Sequence, residues 1–178
     1  MKPIFLIGYM GCGKSTMGRA LSAFINKELI DLDHFIEARY HRSVKEIFAE
    51  YGEDEFRKIE RNMLHEVAEF EDVIIACGGG TPCYFDNIEY MNEKGTTVFL
   101  NASLEALMRR LSTAKAKSKR PIIADKNNDE LAQFITEALE KRMPYYSKAK
   151  LNFDSSYLED GVQIHYSVDS LSKVLNAA

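Results

Sequence analysis

Between Gly8 and Thr16 the chain reads GYMGCGKST, directly behind the apolar run IFLI. The segment matches G-x-x-x-x-G-K-[ST] in full, and a bound triphosphate explains that spacing. Such a ligand concentrates negative charge and needs many donors in a small volume. Backbone N–H groups supply them only where the chain curls tightly, which glycines at 8, 11 and 13 permit. A helix opening right after the loop directs its positive end at the phosphates. Lys14 can then reach the β- and γ-phosphates, and the Ser15 hydroxyl can ligate Mg2+. A glycine-rich turn with a chance lysine is the plain alternative. The full match, with an expected strand before it and a helix after it, outweighs that alternative.

Other residues carry weaker signals. Asp31 and Asp33, in DLDHF, stand two apart. On an extended segment they would point the same way, one towards Mg2+ and one towards an acceptor hydroxyl. The plainer alternative is an aspartate that caps the next helix. Arg57, in EDEFRKIE, lies among acids, the usual pattern of a solvated helix face. In CGGGTP, Gly78, Gly79 and Gly80 end a predicted strand. Three glycines in a row are costly in chain entropy unless a ligand lies against bare backbone. A guanine-reading N-K-x-D is not matched: NKEL at Asn26–Leu29 lacks the aspartate. One phosphate loop with one irregular basic segment suits a small-molecule kinase, which must keep water from its phosphoryl donor behind a lid.

The elements that must hold these groups alternate along the chain. PIFLIG, ELIDLD, VIIACGGG, TTVFLNA and LNFD read as short strands. KSTMGRALSAFI carries Met17, Leu21, Phe24 and Ile25 at helical spacing, and HFIEARYH continues as helix. Ser43 and Glu46 form a capping box for a helix expected to stop near Gly52. EDEFRKIERNMLHEVAEF sets Phe56, Ile59, Met63, Val67 and Phe70 on one face. NIEYMNEKG has Gly95 as its expected end cap, and SLEALMRRL has Ser103 as its N-cap. DELAQFITEALEKRMPYYSKA should kink or end near Pro144, and SVDSLSKVLN closes as helix. Between them STAKAKSKRPIIADKNN has no stable period, and such long irregular segments are usually functional or disordered. The alternation predicts βαβ units, a parallel sheet and helices on both faces, with ligands at the carboxyl ends of the strands. The order of the strands stays open.

Composition bounds the rest. The 178 residues fit one domain. A net charge of -4 speaks against a broad nucleic-acid or anionic-membrane surface, so an anionic ligand needs specific arginines and lysines. The apolar run near Met1 is too short for a signal peptide or a membrane span. Cys12, Cys77 and Cys83 are odd in number and widely spaced, which suits a reduced, cytoplasmic setting. Cys12 and Cys77 read as small buried fillers. His34, His41, His65 and His165 lack metal-ligand spacing. Lys115, Lys117 and Lys119 read as a solvated charge run.

GYMGCGKST, DLD, EDEFRKIE, CGGG, KRPII and KRMPYY occur in the order and spacing of the shikimate kinase family. On these motifs the chain resembles that family from Lys2 to about Asp154. The resemblance implies a three-layer α-β-α P-loop kinase fold with a five-stranded parallel sheet and a mobile lid. It implies one domain over 1–178, a substrate-binding region at 33–60 and a lid at 112–124. The implied reaction is ATP-dependent phosphorylation of the shikimate 3-hydroxyl, on the route to chorismate and aromatic amino acids. By matching position, Gly11, Cys12, Gly13, Lys14, Ser15 and Thr16 would bind ATP, and Lys14 would stabilise the transferring group. Ser15 would hold Mg2+, with Asp31 nearby through water. Asp33 would accept a hydrogen bond from the acceptor hydroxyl, as base or positioner. Arg57 and Arg142 would grip the shikimate carboxylate, beside Gly78, Gly79 and Gly80. Arg120 would reach the phosphates from the lid, while Arg110 and Ser156 would lie near adenine. The implied partners are ATP and shikimate, with no nucleic acid or membrane, and the implied state is a monomer. A gluconate or nucleoside monophosphate kinase on the same scaffold stays open, as does a non-catalytic ATP sensor, although Asp33, Arg57 and Arg120 speak against a sensor.

Overall fold

The computed structural model describes residues 2–177. Among these, β1 (Ile4–Ile7), β2 (Glu28–Asp31), β3 (Val73–Ala76), β4 (Thr96–Asn101) and β5 (Leu151–Asp154) form one sheet. The sheet is parallel throughout, in the order β2-β3-β1-β4-β5. IFLI and VIIA are apolar at every position because β1 and β3 are buried on both faces. Leu6 pairs with Ala76 on one side and with Val98 on the other. The Cys77 N–H then donates to the Leu6 carbonyl at 3.0 Å. This register brings the loop after β1 and the glycines after β3 out of the sheet side by side.

Nine helices flank the sheet among the described residues: α1 (Lys14–Ile25), α2 (Leu32–Tyr40), α3 (Val44–Val67), α4 (Asn87–Lys94), α5 (Leu104–Leu111), α6 (Ala114–Ser118), α7 (Pro121–Ala124), α8 (Asn128–Tyr146) and α9 (Gly161–Ala177). The Ser43–Glu46 capping box forms, with Glu46 N–H on Ser43 Oγ at 3.2 Å and Ser43 N–H on Glu46 Oε2 at 2.7 Å. Gly52, at φ 78° and ψ 175°, breaks α3 where the helix was expected to stop. None of these helices is long and apolar enough to cross a membrane.

Several local expectations are corrected. β2 ends at Asp31 and α2 begins at Leu32, so Asp31 and Asp33 do not share an extended segment. Asp31 is the N-cap of α2, and its carboxylate accepts the N–H groups of Asp33 and His34. The segment 112–124 is not irregular: it folds into α6, capped by Thr113, and α7, opened by Pro121. Helices of four and five residues are too short to show a hydrophobic period. α3 stops at Val67, leaving Phe70 beyond it and exposed, and Phe24 on α1 is also exposed. α9 starts at Gly161, before the stretch that signalled it, whereas α8 ends at Tyr146, near Pro144 as expected. Gly95 ends α4 in extended backbone at φ −157° and not as a left-handed cap. Glycine is required there because a Cβ would lie 2.1 Å from the Pro3 carbonyl oxygen.

Candidate active site

The loop between β1 and α1 curls through Gly8, Gly11 and Gly13, with φ of 143°, 80° and 101°. These angles suit only glycine, as the motif required. Contact adds a second constraint. A Cβ on Gly13 would meet Leu158 at 2.4 Å, and one on Gly11 would meet Leu111 at 3.0 Å. Leu111 and Leu158 thus wall the loop on its open side. The Lys14 ammonium donates to the carbonyls of Gly8 at 2.7 Å and Tyr9 at 3.0 Å. The Cys12 side chain is buried, as is Cys77, whose thiol burial pushes well above its usual range.

A cleft of about 510 Å³ opens at the carboxyl ends of β1, β2 and β3. It is lined by Gly11, Gly13, Lys14, Ser15 and Thr16 of the loop, Asp31 and Asp33, Gly78 and Gly79, Arg110 and Arg120. Five separated stretches of sequence therefore meet around one space. Arg120 is the N-cap of α7 and donates to the Ala116 carbonyl at 3.2 Å. Arg110 bridges two walls. Its guanidinium donates to the carbonyls of Gly11 (3.1 Å), Ser155 (3.0 Å) and Ser156 (3.1 Å), and to Glu159 at 3.0 Å. The Ser156 hydroxyl turns elsewhere, accepting the Ser103 N–H at 2.9 Å, and does not line the cleft.

The side of the cleft beside the start of the phosphate loop is organised by the three consecutive glycines. A Cβ on Gly78 would lie 3.3 Å from Asp33 Oδ1 and 3.1 Å from Glu60 Oε1. One on Gly79 would lie 3.0 Å from Arg142 Nη1, and one on Gly80 2.9 Å from both Arg57 terminal nitrogens. At Gly80, with φ −89°, it is this close approach of the Arg57 side-chain end and not a left-handed backbone that favours glycine. Asp33, Arg142 and Arg57 thus stand in a row along three successive residues. They come from α2, α8 and α3, and Arg57 and Arg142 are held just behind the cleft lining.

Arg57 is held from several directions. It donates to Glu60 at 2.9 Å and to Glu53 at 3.2 Å, and its guanidinium lies 4.1 Å from the Tyr84 ring centroid. Glu60 is fully buried and also accepts the Thr81 hydroxyl at 2.5 Å. Asp33 feels this environment. Burial first, then the nearby charges of Asp31 and Glu60, raise its carboxyl to about 6, against a smaller opposing pull from Lys14.

Sequence reasoning placed Arg57 among acids but did not separate Glu60 from its exposed neighbours. The signal was its place three residues after Arg57 on the apolar side of the helix. Glu159 gave no signal. Although burial pushes its carboxyl up, the Leu158 N–H and the guanidinium groups of Arg109 and Arg110 hold it down at about 2.

A parallel sheet in this order, with a phosphate loop after its central strand, defines a P-loop kinase. The chain matches the family model for shikimate kinase over residues 10–171. A shikimate kinase of Phocaeicola vulgatus is 57% identical across 99% of both chains. The crystal structure of shikimate kinase from Bacteroides thetaiotaomicron superposes with a TM-score of 0.93, at 52% identity and 98% coverage of both chains. That of shikimate kinase from Acinetobacter baumannii in complex with shikimate has a TM-score of 0.82 at 28% identity, covering 99% of this chain and 94% of that one. The chain belongs to the shikimate kinase family.

Proposed function

We propose that this chain transfers the γ-phosphoryl group of ATP to the 3-hydroxyl of shikimate, giving shikimate 3-phosphate and ADP. The observation that carries this reading is the row of Asp33, Arg142 and Arg57 along Gly78, Gly79 and Gly80, with Asp33 on the cleft lining beside the phosphate loop and the two arginines just behind it. Two guanidinium groups suit a carboxylate-bearing acceptor, because the planar fork meets two oxygens at once. Asp33, the member of the row that lines the cleft with Lys14, suits the acceptor's hydroxyl. In this reading Gly11, Cys12, Gly13 and Thr16 offer the loop backbone to ATP, and Lys14 and Arg120 place positive charge on the transferring group. Arg110 closes the adenine side, with Ser156 behind it accepting the bond of Arg110 through its carbonyl, 33–60 as the acceptor-binding region and 112–124 as the lid. Asp33 orients the hydroxyl and can take its proton.

Ser15 and Asp31 are hard oxygen donors on the same cleft, which suits Mg2+. Such an ion takes few protein ligands and completes its shell with phosphate oxygens and water. When bound it supplies charge neutralisation at the β- and γ-phosphates. Ser15 would hold it directly and Asp31 through water, since Asp31 already caps α2. The three cysteines are free thiols, which fits work in the reducing cytoplasm, and the family resemblance suggests a monomer.

A coupled assay of ADP release tests the reading. Release should depend on shikimate and should stay at the no-acceptor blank with gluconate or nucleoside monophosphates. Release that ignores shikimate would sink the proposal.

A further inference from the structure

Tyr9 is the first variable residue of the phosphate loop, a position that serves phosphate through its backbone alone. Its side chain is nevertheless 1% exposed. The Arg142 guanidinium lies over its ring, 5.3 Å from the centroid, inside the roughly 6 Å reach of a cation–π contact. The Tyr9 carbonyl meanwhile accepts from Lys14 at 3.0 Å. The same point is crowded from the other side. A Cβ on Gly79 would lie 3.0 Å from Arg142 Nη1 and 3.4 Å from the Gly8 carbonyl oxygen. The phosphate loop, the glycine row and Arg142 therefore meet at one spot. The Tyr9 hydroxyl is buried with no hydrogen-bond partner among the described residues. Hydrogen bonding does not account for the side chain buried here; the use its surroundings make of it is an aromatic face beneath a guanidinium.

We propose that Tyr9 is a positioning residue for the acceptor. Its ring fixes the Arg142 guanidinium, so the loop that holds the phosphoryl donor also orients the arginine that grips the acceptor's carboxylate. The inference rests on reading Arg142 as a carboxylate-binding residue. It also makes the first variable position of the loop a determinant of acceptor affinity, which a phosphate role alone does not.

Ring electronics can be varied at nearly constant shape. Tyr9→Phe serves as the reference, and phenylalanines carrying one, two and three ring fluorines are then placed at position 9 of the full chain. The ring's attraction for a cation falls with each fluorine while its packing is kept. The shikimate KM should rise stepwise, roughly three- to tenfold over the series, the size of a partly desolvated cation–π contact. kcat, the ATP KM and the melting temperature should stay level, because the lost interaction is equal in ground and transition states. Tyr9→Leu, which removes the ring, should exceed the last member of the series. A shikimate KM that is flat across the fluorine series overturns the proposal, even if Tyr9→Leu fails to fold. If the unmodified chain shows no shikimate-dependent turnover, the reading of the acceptor site fails and takes this proposal with it. Turnover with a flat series removes only the role of Tyr9.

Discussion

In the proposed reaction Asp33 would serve function against stability. Its carboxyl is raised to about 6 in the folded chain, chiefly by burial, against an ordinary value near 3.9. The folded state therefore binds the proton more tightly than the unfolded state. Stability tied to this group is greatest below about pH 4 and is lost as the pH rises to 6 and above. Asp33→Asn should accordingly raise the melting temperature at pH 7.5, with a stability gain of up to roughly 3 kcal/mol, and the gain should vanish in melts near pH 4. The same variant should keep ATP binding while kcat drops about 100-fold or more, the usual scale for a positioned base. A near-normal kcat would refute the role given to Asp33. For the native chain, kcat/KM for shikimate should fall as the pH drops through 6. Lys14→Met should abolish turnover with the fold intact, checked by circular dichroism beside the assay.

At the scale of elements, the glycines divide into those whose neighbours can yield and those whose neighbours cannot. Gly80→Ala places a Cβ 2.9 Å from the end of the Arg57 side chain. That end can move, so the expected result is a shikimate KM raised several-fold with a stability loss of about 1 kcal/mol. Gly95→Ala places a Cβ 2.1 Å from the Pro3 carbonyl, which is backbone locked beside β1. Relief there requires shifting β4 against β1, so the loss should be about 3 kcal/mol or more. Urea titration of both variants separates the cases, and equal losses would contradict this account. The same scale explains the two aspartates. Asp31 closes a strand and caps a helix, while Asp33 sits in that helix's first turn, so a two-residue spacing delivers both to the cleft by a strand-to-helix switch.

Across the whole molecule, Arg110 does what no local element can. It ties the phosphate loop at Gly11, nearly a hundred residues before it in the chain, to the β5–α9 connection at Ser155, Ser156 and Glu159. Its side chain is 18% exposed, so these bonds are largely shielded from water. Arg110→Ala should lower stability by about 2 kcal/mol, the loss expected for a charged donor, and weaken ATP binding. Differential scanning fluorimetry with and without ATP reads both effects. Unchanged melting would mean that the clamp is incidental.

The sequence by itself determined the chemistry of the donor loop, because a phosphate cradle is local: glycines, lysine and hydroxyl sit within nine contiguous residues. It also determined the class of fold, since buried parallel strands must be apolar at every position and their connecting helices must show a longer period. The tertiary structure decided what depends on distance along the chain. Strand order was one such outcome, because no residue's pattern records its neighbour in the sheet. Another was the meaning of Gly78, Gly79 and Gly80, legible as a costly run but explained only when side chains from α2, α8 and α3 closed on them. Glu60 looked like one more acid on a charged face until burial set it between Arg57 and Thr81. The raised carboxyl of Asp33 follows from that same packing. Burial and the field of neighbouring charges belong to the folded molecule, and no stretch of sequence contains them.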